Sequence, residues 1–503
     1  MIPEKIRLSC VEISASIQQG LLTLESYHKE IILVVDTNGI LLGTVTDGDI
    51  RRGLLAGKTI ESSLHEVMND NPITISENST QRERLDLMKR HRILQLPTVD
   101  DEGHVKDLIL LSEIVQVDIP LSDTNLGDQE ILAIKEVLNS GWLSMGDVTR
   151  LFEERFAEMT GSKHAVAVAN GTAALHIACS ALELGPGDEV LCPSLSFVAT
   201  SNAALYTGAK PVFCEVSGPD DLTIDPSDIA KKITSKTKAI TVMHYGGYPC
   251  NMPLITQIAN EYGLYLIEDA AHAPGARIGG RSCGNWGDVG CFSFFANKNM
   301  TTGEGGMLTT NSDELMEKFR LLRSHGMTSL TLDRHRGRAF SYDVIELGYN
   351  YRLDEMRSAL GLVQLEKLHE WNEKRRNLVC KYRSLLQNIP HIRLPFEAIN
   401  VTDSACHIMP ILLDEDINRQ RVMSSLRERG VQTSIHYPAI HTFSYYRDLY
   451  PIMSLPISDG IAALELTLPL FPTMEEEQVE NVVNALRASV EFENASMSNF
   501  VSG

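Results

Sequence analysis

No two cysteines in this chain are spaced as C-x-x-C; the nine present, at 10, 179, 192, 214, 250, 283, 291, 380 and 406, are scattered through 503 residues. That pattern argues against a disulfide framework or a sequence-local zinc module, and reads as buried thiols in a reducing compartment, with no metal expected. Nowhere is there an apolar run of about 18 residues, the length a membrane-spanning helix needs. The first residues, Met-Ile-Pro-Glu-Lys-Ile-Arg, lack the apolar core of a secretion signal, so a cytoplasmic location without membrane contact is expected. Positive charge is also scarce: 45 Lys and Arg stand against 66 Asp and Glu, a formal charge of −21. Such a surface repels a nucleic-acid backbone. A phosphate-bearing ligand must then meet local positive charge, for which Arg352 and Lys298 are candidates.

What the chain does have is 43% hydrophobic residues, enough for several cores, and a length that predicts two to four domains. One lysine stands out. Lys298 follows the short aromatic strand Cys291-Phe-Ser-Phe-Phe and precedes the turn Thr-Thr-Gly-Glu-Gly-Gly306. A strand end followed by a tight turn is a rigid mount on which a partly desolvated amine can act as a nucleophile.

Three further segments match it. Ala-Val-Ala-Val-Ala-Asn-Gly-Thr-Ala-Ala-Leu-His176 reads as a buried strand running through Gly171 and Thr172 into a helix, whose free N–H groups suit a phosphate; an ordinary capped helix fits the same residues. Leu264-Tyr-Leu-Ile-Glu-Asp-Ala-Ala-His272 reads as a strand delivering Asp269 to the carboxyl edge of a parallel sheet, with His272 close behind. Phe197, in Pro193-Ser-Leu-Ser-Phe-Val-Ala-Thr200, is placed either to cover a flat ligand or to fill core. A nucleophilic lysine, a phosphate seat and a buried carboxylate for a ring nitrogen are the parts that pyridoxal phosphate requires.

The ordered set Asn-Gly-Thr-Ala-Ala-Leu, Pro-Ser-Leu-Ser-Phe-Val-Ala-Thr, Glu-Asp-Ala-Ala-His, Phe-Ser-Phe-Phe-Ala-Asn-Lys and Thr-Thr-Gly-Glu-Gly-Gly-Met resembles the DegT/DnrJ/EryC1/StrS family of sugar aminotransferases, fold type I pyridoxal phosphate enzymes. Ser-Gly-Trp-Leu-Ser144, Leu-Arg-Ser-His-Gly326, Leu-Gly-Tyr-Asn-Tyr-Arg-Leu-Asp-Glu355 and Leu-Pro-Leu-Phe-Pro472 extend it, and it covers about Ile119 to Ala488. The resemblance implies that Lys298 is the covalent anchor and catalytic base, and that Asp269 pairs with the pyridinium. His272 would help hold the ring, Phe197 would stack on it, and Gly171, Thr172 and Ser293 would hold the phosphate. Asn350 would reach the phosphate of the neighbouring subunit in a homodimer with shared sites. L-Glutamate is the implied donor and a nucleotide-linked keto sugar the implied acceptor, a 4-keto-6-deoxy hexose at family level, with ping-pong kinetics. Two rivals are a keto-sugar dehydratase, in which a histidine replaces the lysine, and a nucleotide sensor built on an inactive transferase body.

The first 117 residues contain two similar units, Ile31 to Ile50 and Leu96 to Ile114, each reading strand, glycine turn, strand, helix. They resemble a tandem pair of CBS domains, about 1–60 and 61–117. By that resemblance Thr46 and Asp49 match positions that contact the ribose and phosphate of an adenine nucleotide. The second copy departs from the pattern at Asp107, Leu110 and Glu113. A dimerisation or spacer role without ligand fits the module equally well.

The expected architecture is α/β: a large domain over 118–375 with a mostly parallel sheet, a small α+β domain over 376–490, a disordered tail over 491–503, and the α+β CBS pair in front. Val117 to Asn125 reads as a polar linker. A helix is expected from Gln129 to Asn139, with Ile131, Ile134 and Leu138 on one face, and another near Met356 with Met356, Ala359, Leu360 and Val363 at helical spacing. In the small domain His436 and Tyr437 are candidates for substrate contacts, or loop residues that pack.

Overall fold

The computed structural model describes residues 3–27, 31–91, 93–111, 118–329, 335–337, 340–450 and 453–501. The chain divides into two compact units, 1–117 and 118–503. In the first, two three-stranded sheets repeat one plan. Cys10–Glu12, Ile31–Val35 and Leu41–Thr46 form one sheet, and Ile75–Ser76, Gln95–Val99 and Val105–Leu110 the other. Each central hairpin turns on a glycine with positive φ, Gly39 at 87° and Gly103 at 85°, a conformation that a side chain at this position would strain. Ile31, Leu33 and Val35 of the first copy pack with Val105 and Leu108 of the second in one core.

The second unit is built on a seven-stranded sheet: β1 His164–Val168, β2 Glu189–Pro193, β3 Lys210–Cys214, β4 Thr237–Met243, β5 Tyr265–Asp269, β6 Val289–Ser293 and β7 Gly306–Thr310. Their order is β1-β7-β6-β5-β4-β2-β3, and β7 runs antiparallel to both its neighbours. The strands are almost wholly buried, because a sheet covered by helices on both faces needs apolar side chains on both. Val168, Asp269 and Ser293 end their parallel strands along one edge, and Gly306 begins β7 opposite Val168 and Ser293.

The boundary expected near residue 376 falls inside a 32-residue helix, Glu355–Leu386, capped by the Asp354 side chain. Its buried side includes Ala359, Gln364 and Leu368; Met356, Leu360 and Val363 are half-buried. Beyond it, Ile392–Arg393, Met409–Leu413 and Glu465–Leu468 make an antiparallel sheet backed by helices Arg419–Glu428 and Glu476–Val501.

Four expectations are corrected. The segment after Val117, which itself lies outside the described residues, is no free linker from Asp118 to Leu121. Ile119 is 6% exposed in the small domain's core and bridges Val431, and Asp118 and Ile119 donate their N–H groups to Gly430 O at 2.9 and 3.0 Å. Residues 491–501, expected as a tail, continue the last helix because its apolar stripe of Val479, Val482, Val483, Leu486 and Val490 is buried and carries the helix onward; 502 and 503 lie outside the described residues. The helix Asp128–Ser140 forms as expected, yet Ile131 and Leu138 are exposed while Val137 and Glu130 are buried, the latter held by Lys367 and Gln364. Among the cysteines, Cys380 is exposed on the outer face of the long helix.

Candidate active site

The sheet edge where β1, β5 and β6 end opens into a cavity of about 440 Å³ lined by Asn170, Gly171, Thr172, Phe197, Asp269, His272, Ser293, Lys298, His436 and Tyr437, among others. Seven of the expected site residues other than Asn350 are therefore brought together, Gly171, Thr172, Phe197, Asp269, His272, Ser293 and Lys298.

At one end, Asn170 caps helix Gly171–Ala181 by accepting the Ala173 N–H at 2.8 Å. Gly171 lies so close to the end of β6 that a Cβ there would stand 2.8 Å from Cβ of Ser293. The glycine, the Thr172 hydroxyl, the Ser293 hydroxyl and the positive helix end form a cradle suited to an anion.

Asp269 is 4% exposed, and burial pushes its carboxyl up from the usual range. Its oxygens accept the Thr200 hydroxyl at 2.7 Å and the Ala271 N–H at 3.2 Å. A desolvated carboxylate with two neutral donors is matched by a cation placed beside it. Lys298 follows β6 in a turn where its N–H donates to Phe295 O at 2.9 Å. Burial pushes its amine down to about 8, with Asp269 opposing the shift. Much more of it is therefore uncharged at neutral pH than of a surface lysine.

His272 is buried, and both ring nitrogens are engaged. Nδ1 accepts the Gly246 N–H at 3.3 Å, so the ring proton sits on Nε2, which donates to the Tyr437 hydroxyl at 3.0 Å. Burial, with the Lys298 charge, holds the imidazole well below its usual pKa, leaving a neutral plate in the cavity wall. It lies 4.2 Å, centroid to centroid, from the ring of His407, whose Nδ1 is 2.9 Å from Oδ1 of Asn299. Phe197 is 54% exposed at the cavity mouth, 6.0 Å from the Tyr437 ring.

Asn350 is exposed, and neither it nor Arg352 lines this cavity. Thr200, His407 and Asn299 carry no local signal of a role: Thr200 lies in the segment Pro193–Thr200, but nothing near it in sequence shows that its hydroxyl reaches a strand 69 positions away.

In the N-terminal unit Thr46 and Asp49 form a capping box on helix Asp47–Leu55. Asp49 Oδ2 accepts the Thr46 N–H at 2.8 Å and its hydroxyl at 2.6 Å, and Arg52 reaches Oδ1 at 2.5 Å. A nucleotide contacting these side chains must compete with the helix cap. Leu110 ends its strand; Glu113 lies outside the described residues. Two trios, Asp100 with Glu102 and His104, and His391 with Asp414 and Asp416, have metal-like spacing, but Lys106 already occupies Asp100 at 2.9 Å.

The fold is shared with solved aminotransferases. PseC of Helicobacter pylori, an aminotransferase in the biosynthesis of pseudoaminic acid, is 30% identical with a TM-score of 0.70, over 74% of this chain and 99% of that one. DesI, solved in the presence of its TDP-sugar product, is 30% identical with a TM-score of 0.68, over 76% and 96%. A Streptococcus pneumoniae protein solved in its PLP form is 26% identical with a TM-score of 0.69, over 74% and 98%. Residues 64–119 match the CBS domain, and residues 124–487 match the DegT/DnrJ/EryC1/StrS aminotransferase family. With a cradle suited to an anion, a buried carboxylate and a desolvated lysine in one cavity, the chain belongs to that family and is a pyridoxal phosphate-dependent sugar aminotransferase.

Proposed function

We propose that this enzyme transfers the amino group of L-glutamate to a nucleotide-linked keto sugar, a 4-keto-6-deoxy hexose, in two half-reactions that share one cavity. The observation that carries the reading is the joint placement of Lys298, Asp269 and the Gly171–Ser293 cradle around that cavity. When bound, pyridoxal phosphate supplies an electron sink that stabilises negative charge on the substrate carbon. Lys298 would be its covalent anchor. Its freed Nζ would be the base that takes the proton from the donor's α-carbon and, in the second half-reaction, the acid that returns a proton to the carbon that becomes the amine-bearing centre of the sugar.

Asp269 would pair with the ring nitrogen and keep it protonated, with Thr200 and Ala271 fixing the carboxylate's orientation. Gly171, Thr172 and Ser293 would hold the phosphate, and His272 and Phe197 would help hold the ring. Asn350 serves the partner subunit's site, so the working unit is a homodimer. The run leading to Asn350 supports this, since Phe340 is 99% and Leu347 85% exposed, with Val344 and Ile345 exposed between them. An adenine nucleotide at the CBS pair would regulate the enzyme only by binding two of its states unequally.

The test is the visible spectrum of the purified protein with pyridoxal phosphate, before and after L-glutamate, beside Lys298→Ala. The wild type shows a cofactor band that bleaches with glutamate, and the variant bleaches slowly or not at all. A wild type that takes up no cofactor ends this reading.

A further inference from the structure

Glu465 begins the last strand of the small domain's sheet, and its side chain is fully buried. Its two oxygens have different partners. Oε2 accepts the backbone N–H of His436 at 2.7 Å, and Oε1 meets the Thr467 hydroxyl at 2.5 Å. That same hydroxyl lies 2.9 Å from Nδ1 of His436, whose ring lines the cavity holding Lys298. One carboxyl group therefore reaches both the backbone and the ring of a cavity residue.

The arrangement is directional. Burial and the Lys298 charge push the His436 imidazole down to about 4, so the ring is neutral under working conditions and carries a single proton, on Nδ1 or on Nε2. The Thr467 hydroxyl also has one proton to give. With Glu465 ionised, Thr467 must donate to the carboxylate and accept from Nδ1–H, which leaves Nε2 a bare acceptor. With Glu465 protonated, the acid O–H donates to Thr467, Thr467 donates to Nδ1, and the imidazole proton resides on Nε2.

We propose that Glu465 and Thr467 form a relay that sets the tautomer of His436, switching the ring nitrogen left to the cavity between acceptor and donor toward a hydroxyl, carbonyl or amine of the substrate. Glu465 and Thr467 are positioning residues acting through His436. The relay belongs to the chain alone; its use in turnover rests on the reading that the amino acceptor sits in this cavity.

The pH at which the relay reverses follows from what surrounds Glu465. Burial raises its carboxyl to about 8, against the Thr467 hydroxyl, the His436 N–H and the charge of Arg419, whose Nη1 bonds the Glu465 carbonyl at 2.8 Å. Tyr245, which donates to His436 O, and Tyr437 are the other titratable groups nearby, and burial pushes both up, so they stay neutral. Between about pH 4, where the ring loses its charge, and about pH 8 Nε2 carries the proton; above it Nδ1 does.

The test is ring-nitrogen NMR of the full-length, cofactor-loaded protein with isotope-labelled histidine, His436 being assigned by its loss in His436→Gln. The expected result is that the Nδ1 and Nε2 shifts of His436 exchange between protonated and bare types, with a midpoint near pH 8. In Glu465→Gln the amide carbonyl takes the His436 N–H and the amide NH₂ donates to Thr467, so the Nε2–H form persists across the neutral and alkaline range. Should that variant fail to fold, Thr467→Val decides: its His436 ring no longer follows this transition. A wild-type ring that shows no exchange, or a Thr467→Val ring that titrates as the wild type does, overturns the relay. Neither result bears on the cofactor spectrum that tests the activity.

Discussion

Thr200 donates its hydroxyl proton to Oδ2 of Asp269 at 2.7 Å, and since that proton is committed, Ser196, 2.7 Å from Thr200, donates in turn to Thr200. In its proposed role this buried carboxylate stays charged beside a cationic ring, and it is steadied by a side chain from the first turn of the helix Ala199–Thr207 that follows β2. Removing the hydroxyl in Thr200→Val takes away a bond to an ionised group, worth about 1.5–3 kcal/mol, so cofactor affinity falls roughly ten- to hundredfold. Thr200→Ser stays near wild type. An absorbance titration of cofactor-free protein with pyridoxal phosphate measures this, and equal affinities in all three would show that Thr200 does not support the ring's partner.

The lowered Lys298 amine makes a pH prediction whose sign is fixed, because only the unprotonated amine captures an aldehyde. The rate at which cofactor-free protein takes up pyridoxal phosphate rises with pH and levels off above about 8. A lysine at its ordinary value of 10.5 would keep accelerating through this range. Stopped-flow absorbance across the alkaline range separates the two, and a continued rise to pH 10, about two units beyond the expected plateau, contradicts the buried environment assigned to Lys298.

Local patterning made Lys298, Asp269 and the Gly171–Thr172 cradle legible in sequence, since each sits where a strand with a clear apolar run ends in a turn or helix. The parallel sheet was legible for the same reason. Less visible were partnerships made by approach of distant segments: Thr200 with Asp269, Tyr437 with His272, and Glu465 with His436 and Thr467. The helix Asp128–Ser140 shows the limit of periodicity: its pattern located the helix, but Ile131 and Leu138 point outward because burial is decided by what packs against a helix. Ile119 was hidden by its polar neighbours and Pro120, though its backbone follows Val431.

Glu268, beside Asp269 in β5, is fully buried and plays a different part. Its oxygens accept the N–H groups of Gly284, Trp286 and Gly287 at 2.8, 2.6 and 2.8 Å, and Nε2 of His244 lies 3.0 Å away. Glu268→Gln turns an amide NH₂ toward this ring of donors, at a cost of about 3 kcal/mol, as for a buried charge network that loses one member. The thermal midpoint should fall by about 4 °C. An unchanged melting curve would mean that the 284–287 loop is held by other contacts.

Asn350 permits a test of the dimer that no single variant provides. It stands outside the cavity of its own chain, whereas Lys298 lies inside. If each site takes Lys298 from one subunit and Asn350 from the other, Lys298→Ala and Asn350→Ala damage different components of one composite site. Mixing the two variants under conditions that exchange subunits then creates heterodimers with one intact site and one doubly damaged site. Random exchange gives half heterodimers, so the rapid phase of glutamate-dependent bleaching should recover to roughly a quarter of the wild-type amplitude. Recovery should disappear when both substitutions are placed in the same chain and mixed with Lys298→Ala, since no intact site can then form. Leu347→Asp, which puts a charge on the exposed apolar run, should shift the protein toward monomers in sedimentation and slow bleaching in parallel. Sites that work independently would show no rescue on mixing and would bleach at full rate in a monomeric Leu347→Asp protein.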